Sequence, residues 1–277
     1  MSKVSLLIFV MWASILRPAI ADNNPVGKEK ALIDAAKNGD EVRVQKFVNE
    51  GLQANSKDSH GTVLMYAAGG GHKEIVEFLL SKGAEINEAN NSGATPLTWA
   101  TTGCQKDTIE LLLAKGAKIN VQDSRGMTPL MWAAHRCNKN IVDLLLSKGA
   151  DLEMKDEKGK SAWIWSVVNM ADAEKVVDLF LSRGVDVNAK DNSGTTVLMW
   201  AAAIGNKEVV RSLLAHGVDV GAKDQYGRTA VMFAQDSGFK DIARLISSTR
   251  VLAKEPIPKV QSCSLKIVRI SLPLVHC

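Results

Sequence analysis

Few residues in this 277-residue chain have both the type and the spacing to do chemistry. The histidines are His60, His72, His135, His216 and His276. No two of them stand in a His-Glu-x-x-His pair, which would put two imidazoles on one helix face for zinc. None accompanies a Gly-x-Ser-x-Gly turn, which would expose a nucleophilic serine. His72 and His216 read as structural or solvent-facing groups near a helix start and a helix end. Gly69-Gly70-Gly71 looks like a phosphate loop, but no strand precedes it. Cys104, Cys137 and His135 are loosely spaced and lack a fourth ligand, so no metal site is expected. Nothing supplies paired titratable groups for a pocket, so the chain reads as a non-enzyme without catalytic residues or cofactor.

An aromatic side chain recurs at a fixed interval: Tyr66, Trp99, Trp132, Trp165, Trp200 and Phe233. One reading has each ring filling space between neighbouring helices, as large aromatics do in cores. The other has them forming a partly exposed stripe, because tryptophan and tyrosine anchor protein interfaces. Both hold if one ring edge is buried and the other is wet.

The elements that position this ladder are internal repeats. Thr95-Pro96-Leu97-Thr98-Trp99-Ala100 returns 33 residues later as Thr128-Pro129-Leu130-Met131-Trp132-Ala133, and again as Thr196-Val197-Leu198-Met199-Trp200-Ala201. A second block, Ile75-Val76-Glu77-Phe78-Leu79-Leu80, returns as Ile141-Val142-Asp143-Leu144-Leu145-Leu146. Asp58, Asn90, Asp123, Asp156, Asp191 and Asp224 open successive units. Threonine followed by proline starts a helix: the hydroxyl caps free N–H groups, and proline lacks a donor that would go unpaired. The Ile-Val-x-Leu-Leu-Leu spacing gives one buried helical face. Gly83, Gly116, Gly149, Gly184 and Gly217 end second helices, where a left-handed residue is needed. Asp-x-x-Gly then makes a tight hairpin.

This pattern resembles the ankyrin-repeat family, whose 33-residue period carries Thr-Pro-Leu-His-x-Ala. The resemblance covers about residues 28–249, with units beginning near residues 28, 58, 90, 123, 156, 191 and 224. It implies an all-α solenoid of about seven helix-turn-helix-hairpin units, capped by polar end units, that binds protein through its hairpin tips and inner helix faces. The family histidine is replaced by Met65, Thr98, Met131, Ile164, Met199 and Met232, which removes a side-chain hydrogen bond near the turn. Carried over by position, the contact residues are Asn91, Ser92, Ala94, Thr102, Ser124, Arg125, Met127, His135, Arg136, Glu157, Lys158, Lys160, Asn192, Ser193, Thr195, Ala203, Ile204, Gln225, Tyr226 and Arg228. Their mixed character points to a protein partner, as yet unidentified, and to a monomeric binder.

The fifth unit departs from the pattern: Ser161-Ala162-Trp163-Ile164-Trp165 stands for Thr-Pro-Leu-x-Trp, and two extra residues enter Val168 to Lys175. The insertion is either a tolerated irregularity or a feature that shapes the groove.

Charge and the chain ends set the compartment. The net charge of +4 sits at the ends, with Lys3 and Arg17 at one and Arg250, Lys254, Lys259, Lys266 and Arg269 against Glu255 at the other. The body is slightly acidic, which excludes nucleic acid, whose phosphates require clustered Lys and Arg. Lys3, the uncharged run Val4 to Leu16 and the small-x-small site Ala19-Ile20-Ala21 read as a signal peptide over residues 1–21. The expected mature protein, a repeat domain over 22–249 with a tail over 250–277, is exported and not membrane-bound. It is periplasmic on one reading and a secreted effector of host proteins on another. A small-molecule binder using the tryptophan stripe is a third reading.

In an exported chain an even number of cysteines points to disulfides. Cys104 and Cys137 each replace the glycine that Gly71 and Gly205 supply elsewhere, and Cys263 and Cys277 lie in the tail. Cys263 can pair with Cys277. Stacked helices about 8–10 Å apart weigh against Cys104–Cys137, because bridged Cα atoms lie within about 7 Å.

Overall fold

The structure is a computed structural model and describes residues 25–136, 139–168 and 173–252. Fourteen helices occur among the described residues, in seven consecutive pairs. These are α1 (Pro25–Asn38) with α2 (Glu41–Asn49), α3 (Val63–Gly70) with α4 (Lys73–Ser81), and α5 (Pro96–Thr102) with α6 (Lys106–Ala114). They continue as α7 (Pro129–Arg136) with α8 (Lys139–Ser147), α9 (Ala162–Ser166) with α10 (Ala173–Ser182), α11 (Val197–Ile204) with α12 (Lys207–Ala215), and α13 (Ala230–Asp236) with α14 (Lys240–Leu252). The first helix of each pair packs on the first of the next, and second helices pack on one another in all but the step from α6 to α8, which makes two helical rows. No strand occurs among the described residues, where isolated bridges Lys57–Thr62 and Lys190–Thr196 close two hairpins. The all-helical solenoid expected from the repeat is the observed architecture.

Thr62, Thr95, Thr128 and Thr196 accept, through Oγ1, the backbone N–H three residues on, at 3.2–3.4 Å. Each satisfies a donor that the first helical turn leaves free. The hydrogen bond expected to be lost with the family histidine is in part replaced. The Sδ atoms of Met65, Met131 and Met199 accept the N–H of Thr62, Thr128 and Thr196 at 3.4–3.5 Å. Thr98 instead pairs its hydroxyl with that of Thr95 at 3.2 Å. A weak sulfur acceptor thus completes the cap while the thioether fills the core. At the other end of the first six units a left-handed glycine stops the outer helix. Gly149 has φ +89° and lets the Ala150 N–H reach the Leu145 carbonyl at 3.0 Å.

Ile141, Val142 and Leu145 of α8 are buried, as are Leu130, Met131, Ala133 and Ala134 of α7. The same positions in successive units join into one hydrophobic core running from Leu32 to Ile246. The end unit turns Asp34 outward where later units carry a ladder ring, as a terminal repeat must when nothing stacks on it. No helix among the described residues is long and apolar enough to cross a membrane. In the fifth pair α9 is only five residues long, and Trp163 packs edge-on against Phe180 with ring centroids 6.0 Å apart. The Trp163 indole N–H is buried and has no partner among the described residues. The two-residue insertion lies in part at 169–172, outside the described residues, as do residues 1–24 and the tail beyond 252.

Leu145→Ala removes a side chain with no exposure and is expected to lower stability by about 2–5 kcal/mol in urea unfolding. Lys148→Ala, on the exposed end of the same unit, is expected to stay within about 0.5 kcal/mol.

Candidate protein-binding groove

Three hairpins are closed by a carboxylate that also takes an indole N–H, while the amide of Asn90 closes its hairpin by accepting the N–H groups of Ser92 and Ala94. Asp156 Oδ1 accepts the N–H groups of Lys158 and Lys160 at 2.9 and 2.8 Å, and its Oδ2 accepts the indole N–H of Trp165 at 3.0 Å. Asp123 does the same for Arg125, Met127 and Trp132. Asp191 does so for Ser193, Thr195 and Trp200. Asp58 Oδ2 accepts the Tyr66 hydroxyl at 2.9 Å. Burial, and then Asp58, push the Tyr66 phenol up to about 12, so it stays a donor. Asp224 closes the last hairpin and ion-pairs with Arg228 at 2.8 Å, because Phe233 offers no donor. Burial alone would raise the Asp224 carboxyl, but the Arg228 N–H, its guanidinium and the Tyr226 N–H hold it below the ordinary range. Hairpins join through Ser124 N–H to the Ser92 carbonyl at 2.8 Å, and Glu157 N–H to the Arg125 carbonyl at 3.1 Å.

These bonds hold four rings of the ladder, Tyr66, Trp132, Trp165 and Trp200. Tyr66, Trp99, Trp132, Trp165, Trp200 and Phe233 are all half-buried, so both readings of the stripe hold together. The rings pair off as the floors of three successive clefts. Tyr66 and Trp99, 5.1 Å apart edge-to-face, floor a cleft of about 620 Å³ that also takes in Lys37, Thr102 and Arg136. Trp132 and Trp165 floor one of about 240 Å³ with Arg125, His135 and Lys158. Trp200 and Phe233 floor one of about 540 Å³ with Tyr226 and Arg228. The last two clefts share Glu157 and Lys158.

Cations lie against the rings. Arg125 stacks on Trp132 at 4.6 Å, and Arg228 on Phe233 at 4.4 Å. The Lys160 ammonium sits 3.8 Å from the Trp200 centroid and 4.8 Å from that of Trp165. Burial pushes the Lys160 amine down, against the pull of Asp191 and Asp156. The His135 ring lies edge-to-face on Trp165 at 5.0 Å, and its Nδ1 is buried without a partner. Burial first, then the charges of Arg136, Arg125 and Lys160, push the His135 imidazole down.

Most of the contact positions inferred from the repeat are exposed or half-exposed: Asn91, Ser92, Thr102, Ser124, Arg125, His135, Arg136, Glu157, Lys158, Asn192, Ser193, Ala203, Ile204, Gln225, Tyr226 and Arg228. Ala94, Met127, Lys160 and Thr195 are buried, and their assignment as surface contacts is corrected. Each is the residue after a hairpin glycine, and its N–H is drawn onto the hairpin Asn or Asp. That bond turns the side chain inward. Met127 and Lys160 still border clefts. Cys104 is disulfide-bonded, with a left-handed φ of +56°. Cys137, Cys263 and Cys277 lie outside the described residues.

Two regularities escaped the reading of the sequence. The aspartate and its indole partner stand nine residues apart in Asp123–Trp132, Asp156–Trp165 and Asp191–Trp200, so the spacing itself was a signal. On the outer side of the hairpins, Asn55, Asn87, Asn120 and Asn188 accept the N–H of Glu85, Lys118, Asp151 and Asp219 in the following unit at 2.8–3.0 Å. Their near-33-residue spacing was legible too.

Fold and groove together define a helical repeat protein with a ring-lined face. The family model for ankyrin repeats (3 copies) matches residues 32–123, 105–191 and 170–254, and the chain belongs to the ankyrin-repeat family. It is 41% identical over 58 residues to the Caenorhabditis elegans ankyrin repeat and KH domain-containing protein mask-1, covering 21% of this chain and 2% of that protein. It is 39% identical over 65 residues to human M-phase phosphoprotein 8, covering 22% of this chain and 8% of that one. The chain therefore spans only a small part of either relative. The crystal structure of the human ASB11 ankyrin repeat domain superposes with a TM-score of 0.71 at 23% identity, covering 78% of this chain and 96% of that one. That likeness speaks for the fold alone. Ankyrin-repeat proteins are typically non-catalytic protein-interaction scaffolds, and no enzyme family is matched.

Asp156→Asn turns an amide N–H₂ toward the Trp165 N–H, or else toward the hairpin N–H groups. It is expected to destabilise by about 2 kcal/mol and to shift tryptophan emission, both read from fluorescence-monitored unfolding. The depressed His135 imidazole makes the unfolded chain bind more protons than the folded one just below the ordinary histidine range. Stability is then full above about pH 6.5 and falls as the solution is acidified below it. His135→Gln is expected to flatten that fall between pH 7 and 5, measured as the unfolding midpoint against pH.

Proposed function

We propose that this protein is an exported, non-catalytic scaffold that holds an extended, acidic segment of a partner protein along its concave groove. The observation that carries the reading is the pairing of ladder rings as floors of three successive clefts. Amphipathic rings offer large contact area at little conformational cost, which is why they dominate interface energetics. Three adjoining clefts suit a chain of side chains better than one compact molecule. The small-molecule alternative has the outer two clefts in its favour, since about 620 and 540 Å³ fall within the roughly 300–1,000 Å³ of common ligand sites, whereas the middle cleft of about 240 Å³ falls below it.

The acidic character of the segment follows from which charges point outward. Asp156 and Asp191 lie buried beneath the rings and are saturated by N–H donors. Lys37, Arg136 and Lys158 are exposed on the cleft rims, and no ion pair is found for them among the described residues. Glu157 is the exposed carboxylate lining these clefts among the described residues. Complementary charge of this kind orients a partner and speeds encounter. Export is supported by the Lys3, Val4–Leu16 and Ala19-Ile20-Ala21 pattern and by the disulfide at Cys104, since such bonds persist in oxidising compartments. The periplasm is the compartment we favour.

Residues 22–277 used as bait on the exported fraction are expected to retain a protein that an Arg125→Ala, Arg136→Ala and Lys158→Ala triple variant holds at least about tenfold more weakly. The variant should melt at the wild-type temperature. Equal retention by both proteins would sink the groove as the binding face.

A further inference from the structure

We infer that the first cleft holds a carboxylate seat built on the indole N–H of Trp99, and that it takes an aspartate or glutamate side chain of the bound segment. The inference deepens the scaffold reading and rests on it. Among the ladder tryptophans only Trp99 lacks a carboxylate nine residues earlier, because Asn90 stands there. Asp123, Asp156 and Asp191 spend one oxygen on the hairpin and the other on the ring, at 3.0–3.3 Å. An amide has a single acceptor oxygen. In Asn90 that oxygen is taken by the N–H groups of Ser92 and Ala94 and by the Ser92 hydroxyl, at 2.8–3.0 Å. The amide nitrogen donates to the His60 carbonyl at 2.6 Å, and a donor cannot receive the indole N–H. Asparagine thus closes the hairpin as aspartate does and leaves the ring donor over.

The Trp99 indole N–H has no acceptor among the described residues, and it is not sealed from water as that of Trp163 is. Water serves such a donor in the free protein, and a ligand with a better acceptor can take its place. A carboxylate is that acceptor, since a bond to an ionised oxygen is roughly twice as strong as one to a neutral oxygen. The cleft has room for it. Gly69, Gly70 and Gly103 line it and place no side chain in it. A β-carbon at Gly69 would lie 3.2 Å from the Trp99 ring.

The surroundings choose the charge. Lys37, His60 and Arg136 line this cleft, and none of its lining residues is a carboxylate. The middle cleft is lined by Asp156 and Glu157, and the third by Glu157 and Asp191. Nearby negative charge gathers on the Tyr66 side. Asp58 accepts the Tyr66 hydroxyl at 2.9 Å and stands 3.9 Å from His60, and Asp34 also acts on Tyr66. An incoming anion is therefore drawn to Trp99 and the Arg136 guanidinium.

The test uses the isotope-labelled full chain and a peptide of four glutamates blocked at both ends, so that only side-chain carboxylates are offered. Trp99→Phe deletes one of the six indole signals in the nuclear magnetic resonance spectrum and so assigns it. In the free protein the Trp99 indole N–H is expected to exchange with solvent at least about tenfold faster than those of Trp132, Trp165 and Trp200, which are held by carboxylates. The peptide is expected to shift the Trp99 signal more than any other and to slow its exchange, and a four-glutamine peptide is expected to do neither. Trp99→Phe, which keeps a ring and loses the donor, is expected to bind the peptide about tenfold more weakly. Trp99 exchange as slow as that of the other three, a Trp99 signal unmoved at millimolar peptide, or equal affinity for Trp99→Phe and wild type would each overturn the seat. The two readings fail separately. A partner retained on the bait with an unmoved Trp99 signal would overturn the seat alone. A shifted Trp99 signal with equal retention by wild type and the triple variant would overturn the groove as the protein-binding face and leave the carboxylate seat standing.

Discussion

A hairpin carboxylate with almost no water around it must find its donors inside the protein, and the rest of the groove follows from how it does so. One oxygen gathers two backbone N–H groups and closes the hairpin, while the other takes the ring donor nine residues on. An unsatisfied buried carboxylate would be costly. The hairpin, the first turn of the inner helix and the ladder ring are therefore locked as one body. Because the same arrangement recurs at Asp123, Asp156 and Asp191, the rings face the same side of the solenoid in successive units. A ring held by its edge donor cannot rotate fully into the core. Trp132, Trp165 and Trp200 therefore stay half-buried although their faces are apolar.

This arrangement also decides the character of the face. The carboxylates lie beneath, saturated, and the basic groups lie above or between the rings. Lys160 shows the limit of the pattern, because its ammonium is drawn down between Trp165 and Trp200 with aromatic faces in place of water. Arg125 and Arg228 remain partly exposed and stack from outside. The ring-lined face is thus an aromatic floor with cationic rims, built on a buried layer of negative charge. The last unit departs from the rule where Phe233 has no donor, and Arg228 takes over the carboxylate.

Cohesion along the solenoid is local. Each unit meets its neighbours through the two helical rows, the hairpin N–H to carbonyl bonds and the asparagines of the outer side. A repeat array of this kind has no long-range contacts to keep its curvature fixed. The fifth unit is the weak point of regularity. A short α9, a tryptophan where other units carry leucine and an indole N–H with no partner among the described residues all fall within it.

The sequence determined the period, the helix starts at threonine, the helix ends at glycine and the identity of the ladder. Each of these depends on interactions within some ten residues of chain, and each leaves a residue type at a fixed interval. Only the tertiary structure decided that methionine sulfur completes the caps, because that depends on a side-chain conformation in the packed core. Only it showed that Met127, Lys160 and Thr195 turn inward, because the hairpin aspartate draws their N–H groups under the neighbouring unit. The sequence placed Cys104 where other units carry glycine, and the structure holds it left-handed at φ +56°. The direction of a side chain in a left-handed turn is a matter of backbone dihedrals and of the neighbouring unit, and no pattern of residue types along the chain contains it.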